Sequence, residues 1–153
     1  MCGAMSWVSE RNLVSAISNA GGFGVIACGA MSPELLDTEI AATKKLTAKP
    51  FGVNLITMHP QIMELIDVCA KYDVSHVVIA GGLPPKGSIE AIKAFGAKVI
   101  CFAPALTLAK KFARSGVDAL VIEGERGNAF AASVDYSQMS SRLAALRQRA
   151  GKQ

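Results

Sequence analysis

Five short apolar runs punctuate the chain, at residues 23–28, 51–55, 76–80, 98–102 and 119–122. Within each run the apolar residues are consecutive rather than alternating. Strands covered on both faces of a parallel sheet read this way. Between the runs, apolar residues recur at helical spacing. Ser9 predicts a cap for a helix carrying Leu13, Val14 and Ile17 on one face and ending at Gly21. Ser32-Pro33-Glu34 combines an N-cap, a proline at the first helical position and an acid in the first turn. That helix turns Leu35, Leu36 and Ile40 inward. Pro60 opens a third helix with Ile62, Met63, Ile66 and Cys69. Ser88 opens a fourth with Ile89, Ile92 and Phe95. A fifth, over residues 106–114, presents Leu108, Ala109 and Phe112.

The helix exits repeat one device. Phe95-Gly96-Ala97 and Ser115-Gly116-Val117 each set glycine just past a helix, where the left-handed conformation closes the last turn. Strand starts near 24, 51, 76, 98 and 119 define a unit of roughly 21 to 27 residues, which implies a parallel sheet with right-handed crossovers. An open doubly wound sheet and a β/α barrel both fit. Beyond Gly127 the rhythm stops. Residues 135–149 read as a polar helix with Met139, Leu143 and Leu146 as its stripe.

Composition narrows the function classes. The 153 residues are 51% hydrophobic and 18% charged, which argues for a packed core and against disorder. The net charge of +4 is mild and its lysines are scattered, so nucleic acid is not an expected partner. The longest apolar stretch, residues 21–31, is too short to span a membrane, and no signal-like segment opens the chain. The four cysteines form no C-x-x-C pair and no histidine stands at metal spacing. They read as free thiols of a cytoplasmic protein, with no metal site.

Several residues are candidates for chemistry. Residues 81–88 (Gly81-Gly82-Leu83-Pro84-Pro85-Lys86-Gly87-Ser88) follow a strand and open a helix, but they lack the Lys-Ser/Thr pair of a P-loop. They fit a plain βα turn or a phosphate site. His59 follows the second of the five strands, at the end where α/β sites form, and fits either a base or a local cap. His76 lies at the opposite end. Asn54 is more pointed. A polar amide near the C-terminal end of a buried strand costs free energy unless bonded, and its donor and acceptor suit the edge of a heterocycle. Glu123 ends the strand at 119–122, where a carboxylate is uncommon unless paired or functional.

Gly3-Ala4-Met5-Ser6-Trp7-Val8, Ser18-Asn19-Ala20-Gly21-Gly22-Phe23-Gly24-Val25-Ile26, Lys49-Pro50-Phe51-Gly52-Val53-Asn54-Leu55 and Val121-Ile122-Glu123-Gly124 resemble the nitronate monooxygenases. That family also includes flavin-dependent enoyl thioester reductases. The resemblance covers roughly residues 3 to 124. It implies an α/β fold of TIM-barrel type that binds FMN non-covalently, with Ala4 and Met5 against the flavin, Asn54 bonded to its ring system and Glu123 at a cofactor-contacting position. The implied function is an FMN-dependent oxidoreductase that oxidises alkyl nitronates, small-molecule substrates, with oxygen. The alternative is an inactive remnant, or an oligomerising half-barrel that binds a ligand without turnover.

Two departures bear on that expectation. Where the family continues Glu-Ala-Gly-Gly-His after this point, the chain has Glu125-Arg126-Gly127-Asn128-Ala129-Phe130. Phe130 stands where the family has a histidine, and phenylalanine cannot transfer a proton; no catalytic residue is assigned. Length is the other. A complete barrel needs roughly 250 residues. The expected architecture is therefore an incomplete barrel of about five βα units plus a sixth strand over residues 1–124. A divergent tail over residues 125–153 follows, helical from about 135. Open sheet edges would then offer a route to a homo-oligomer.

Overall fold

The computed structural model describes residues 1–122. Helices and strands alternate: α1 (Arg11–Asn19), β1 (Val25–Ala27), α2 (Pro33–Leu46), β2 (Gly52–Ile56), α3 (Ile62–Lys71), β3 (His76–Ala80), α4 (Ser88–Ala94), β4 (Lys98–Ala103), α5 (Leu106–Arg114) and β5 (Ala119–Ile122). The strands form one parallel sheet in the order β1-β2-β3-β4-β5. Each of the five apolar runs is a strand. Of the six strands expected, five are described: the residues ahead of α1 form no strand, and Cys2 N–H donates to Phe23 O at 2.9 Å. The expected C-terminal helix lies outside the described residues.

Strand parity decides between the two layouts the repeat allowed. Ile26, Cys28, Val53, Leu55, Val77, Ile79, Val99, Cys101 and Leu120 share one core cluster with residues of all five helices, among them Val14, Leu36, Leu65, Ile92 and Phe112. Side chains alternate faces along a strand. All described helices therefore cover the same face, as in the wall of a β/α barrel, and a doubly wound sheet is excluded for this segment. The other face carries Val25, Ala27, Asn54, Val78, Ile100, Phe102 and Val121. β1 to β3 are buried on both faces, as the apolar runs implied. β4 departs from this: Val99, Cys101 and Ala103 are buried under the helices, while Ile100 and Phe102 are half-buried.

The helix starts follow local chemistry. Ser32 caps α2 by accepting from Leu35 N–H at 3.3 Å. Leu36 and Ile40 point inward as expected, but Leu35 is exposed. On α3, Gln61 rather than Pro60 holds the cap position, and Leu65 takes the inward place that Met63 does not. Ser9 does not cap α1. Glu10 does, accepting from Asn12 N–H at 3.1 Å. Ser9 is instead fully turned inward, for a reason given below. Gly96 and Gly116 adopt φ of +86° and +77°, the left-handed closure the sequence implied. Ser18 ties three elements: its hydroxyl donates to Pro50 O at 3.2 Å and accepts from Gly24 N–H at 3.3 Å.

Candidate functional site

The C-terminal ends of parallel strands gather the loops that bind ligands. In this sheet those loops are joined to one another. Thr57, which follows β2, donates its hydroxyl to Gly81 O at 2.7 Å and its N–H to Ala80 O at 2.9 Å. Gly29, which follows β1, lies against Ile56: a Cβ there would meet Ile56 Cγ1 at 3.0 Å and Ser6 Oγ at 3.9 Å. Ser6 thus brings the N-terminal loop onto the same rim.

Ser9 explains how that loop holds its shape. Its buried hydroxyl accepts from Met5 N–H at 3.0 Å and donates to Gly3 O at 3.3 Å. Its backbone carbonyl accepts from Ala27 N–H on β1 at 3.0 Å, and its N–H donates to Met5 O at 2.9 Å. The knot half-buries Ala4 and leaves Met5 at the rim. It also forces Trp7 to φ +63°, an uncommon conformation for a bulky aromatic residue. The sequence carried no signal of this strain.

Asn54 sits near the end of β2, 7% exposed, on the face away from the helices. Its Nδ2 donates to Val78 O on β3 at 3.1 Å, across the pair that the register aligns. No described residue donates to its Oδ1. No described side-chain polar atom is both fully buried and unpaired, so that oxygen keeps access to a ligand or solvent. The donor is committed to the sheet and the acceptor is left for something else. Glu123 and Phe130 lie outside the described residues.

The other candidates resolve locally. His59 Nδ1 accepts from Gln61 N–H at 3.1 Å, so the ring organises the turn into α3. His76 packs edge-on against Phe23, ring centroids 4.8 Å apart, and shares a 2.9 Å contact with Ser75 Oγ. Burial, then the Lys98 charge, lower its pKa, and it faces the wrong end of the sheet. In the turn over residues 81–88, Gly81, Gly82 and Gly87 have φ of +92°, +106° and +90°, which explains the glycines as backbone requirements. Ser88 is buried and its hydroxyl meets Met63 Sδ at 3.7 Å, so it is not presented to a phosphate. Burial pushes the Cys28 and Cys101 thiols up to about 12 and raises Cys69 too, which removes them as nucleophiles. Among the described residues no His, Cys, Asp or Glu cluster could hold a metal.

A cavity of about 410 Å³ opens at the N-terminal end of the strands, lined by Lys44, Thr47, Lys49, Phe51, Asp73 and Ser75. Three of its polar side chains are engaged. Thr47 bonds Asn19 and Lys49, Lys44 bonds Tyr72 O, and Ser75 bonds Phe51 O. It lies at the opposite end from Asn54 and the joined loops.

A family described as nitronate monooxygenase matches residues 1–72. A (3aS,4S,5R,7aS)-5-hydroxy-7a-methyl-1-oxo-octahydro-1H-indene-4-carboxyl-CoA dehydrogenase of Rhodococcus jostii is 38% identical over 124 residues, covering 80% of this chain and 35% of that protein. A "Probable nitronate monooxygenase" of Staphylococcus haemolyticus is 27% identical, covering 78% of this chain and 43% of its own length. FabK from Thermotoga maritima, a TIM barrel, superposes with a TM-score of 0.76 at 38% identity, over 80% of this chain and 39% of that one. The chain thus spans less than half the length of these relatives.

Proposed function

Since the chain belongs to the nitronate monooxygenase family of flavin-dependent oxidoreductases, we propose that residues 1–124 supply part of an FMN site, with Asn54 bonded to the ring system. The observation that carries this reading is the divided state of the Asn54 amide: donor spent on Val78, acceptor unspent, at the ligand-binding end of a parallel sheet. The residues around it fit a flat heterocycle. Ala27 and Gly29 are small, and Val78 supplies an apolar wall. Ala4 and Met5 flank the ring from the N-terminal loop. Glu123 contacts the cofactor on the strength of the family pattern alone. When bound, FMN supplies the redox chemistry; the protein's groups hold and orient it.

The substrate expected from the family name is an alkyl nitronate, oxidised with oxygen. With Phe130 at the family's histidine position, no side chain there can move a proton, and turnover is slow or absent. A second reading, an acyl thioester substrate, is favoured by identity: the CoA-thioester dehydrogenase is 38% identical and the nitronate monooxygenase 27%. The four free thiols support a cytoplasmic location. No described helix is long and apolar enough to cross a membrane. The edges of the sheet offer a surface for a second copy.

The test is an FMN titration. Yellow protein with a saturable flavin spectrum is expected. Asn54→Ala should weaken FMN at least tenfold, the worth of a lost hydrogen bond in a buried site, about 1.5 kcal/mol. Circular dichroism checks that the variant folds despite losing the bond to Val78. A protein that stays colourless rejects the proposal. Oxygen uptake with a nitronate supports the first substrate, and anaerobic flavin bleaching by an acyl-CoA supports the second. Bound flavin with neither reaction leaves ligand binding without turnover.

A further inference from the structure

The rim around Asn54 carries apolar side chains that the fold leaves in solvent. Met5, Trp7 and Val8 are exposed on the N-terminal loop, Met58 on the loop after β2 and Leu83 on the loop after β3. Trp7 is 71% exposed and Met58 82%. These loops are the ones joined through Ser6, Gly29, Thr57 and Gly81. These side chains therefore stand on the same rim as the candidate site. Contiguous exposed apolar surface marks a binding surface more often than scattered single residues do.

Trp7 is the pointed member. Its backbone is held in the left-handed region by the Ser9 knot, yet its ring gains no packing in return. Among the described residues its ring has no aromatic or cationic partner and its indole N–H has no acceptor. The strain comes with the Ser9 hydrogen bonds, and it leaves the ring at the rim, open to a ligand. Lys86, exposed in the same loop as Leu83, forms no ion pair among the described residues. An indole, thioethers and an ammonium on one rim match a ligand with an apolar body and an anionic handle. A short alkyl nitronate has too little apolar surface to cover these side chains.

We propose that Trp7, with Met58 and Leu83, is a specificity-determining surface for the bulky apolar acyl group of a CoA thioester, with the phosphates of the handle beside Lys86. This rests on the acyl thioester reading of the FMN site above. Trp7 is the chain's one tryptophan, so its fluorescence reports this surface alone.

The experiment uses the FMN-loaded chain. Decanoyl-CoA should shift Trp7 emission to the blue in a saturable way, while CoA and propyl-1-nitronate should not. By calorimetry, Trp7→Ala should lose at least tenfold in decanoyl-CoA affinity while FMN affinity stays within twofold, and Trp7→Phe should restore most of the loss. FMN bound with no decanoyl-CoA response overturns the proposal and leaves the flavin reading standing. Equal responses to the nitronate, or unchanged affinity in Trp7→Ala, overturn it too. Failure to bind FMN overturns the parent reading, and this one with it.

Discussion

Gly24→Ala is expected to destabilise the fold by about 3 kcal/mol or more, lowering the melting temperature by roughly 6–12 °C. Gly24 leads into β1 directly beneath α1. A Cβ there would lie 2.4 Å from Val14 O and 3.0 Å from Val14 Cα. These are backbone atoms of a helix and cannot rotate aside. Relief requires α1 to lift, and two anchors oppose that: Gly24 N–H bonds Ser18 Oγ, and Gly24 O accepts from Gly52 N–H at 2.9 Å. Gly96→Ala is the comparison. A Cβ at Gly96 meets nothing within 4 Å, so only its left-handed backbone is penalised, by about 1 kcal/mol. Thermal melts of the two variants separate crowding from conformational strain. Equal losses would show that α1 is free to move.

Glu39→Ala should cost about 3 kcal/mol, and it should also change how stability depends on pH. Glu39 lies on α2, 6% exposed, and receives Arg11 from α1: the backbone N–H at 3.0 Å, Nε at 3.1 Å to each oxygen, and Nη2. Removing one member of so well-bonded a pair strands the other. The figure sits at the low end for buried pairs because Arg11 is a third exposed. Burial alone would raise the Glu39 pKa, but the Arg11 bonds outweigh it and hold the carboxyl below its ordinary value. The sign follows. A depressed folded pKa gives stability that is complete above the unfolded carboxylate range and is lost as the pH falls through the folded value. Wild-type melting temperature should therefore drop on acidification below about pH 4, and Glu39→Gln should flatten that slope. Asp37, held low first by Lys71, and Asp118, held low by Val99 N–H and Lys93 against its burial, keep part of it. An unchanged slope would show that the pair does not form.

How much of this was legible beforehand depends on what side-chain chemistry encodes. The strands are readable because burial leaves few polar residues in each run, and each of the five runs is one. Asn54 stood out for the same reason, as a break in such a run. Ser9 reads as a cap because a serine ahead of an apolar helical stripe satisfies the capping rule, yet Glu10 takes that place. Only the path of the preceding loop shows that its hydroxyl is spent on Gly3 and Met5. The Trp7 conformation is not legible in the sequence, since a positive φ in a non-glycine residue is imposed by neighbours and leaves no mark on composition. Thr57 could have been found: a hydroxyl immediately after a buried strand is placed to tie loops. β4 departs from continuous burial because its second face depends on neighbours across the sheet, which a single run cannot report.

The strand order has a kinetic meaning. Val25 pairs with Gly52, Gly52 with His76, His76 with Lys98, and Ile100 with Ala119. Among the described strands every partner is the next along the chain, so none of them waits for a distant one, and loop-closure entropy is paid in small, similar instalments. Each βα unit docks on an edge completed just before it. Ordering can therefore advance in the direction of synthesis, with α1 and β1 as the template that the later strands extend.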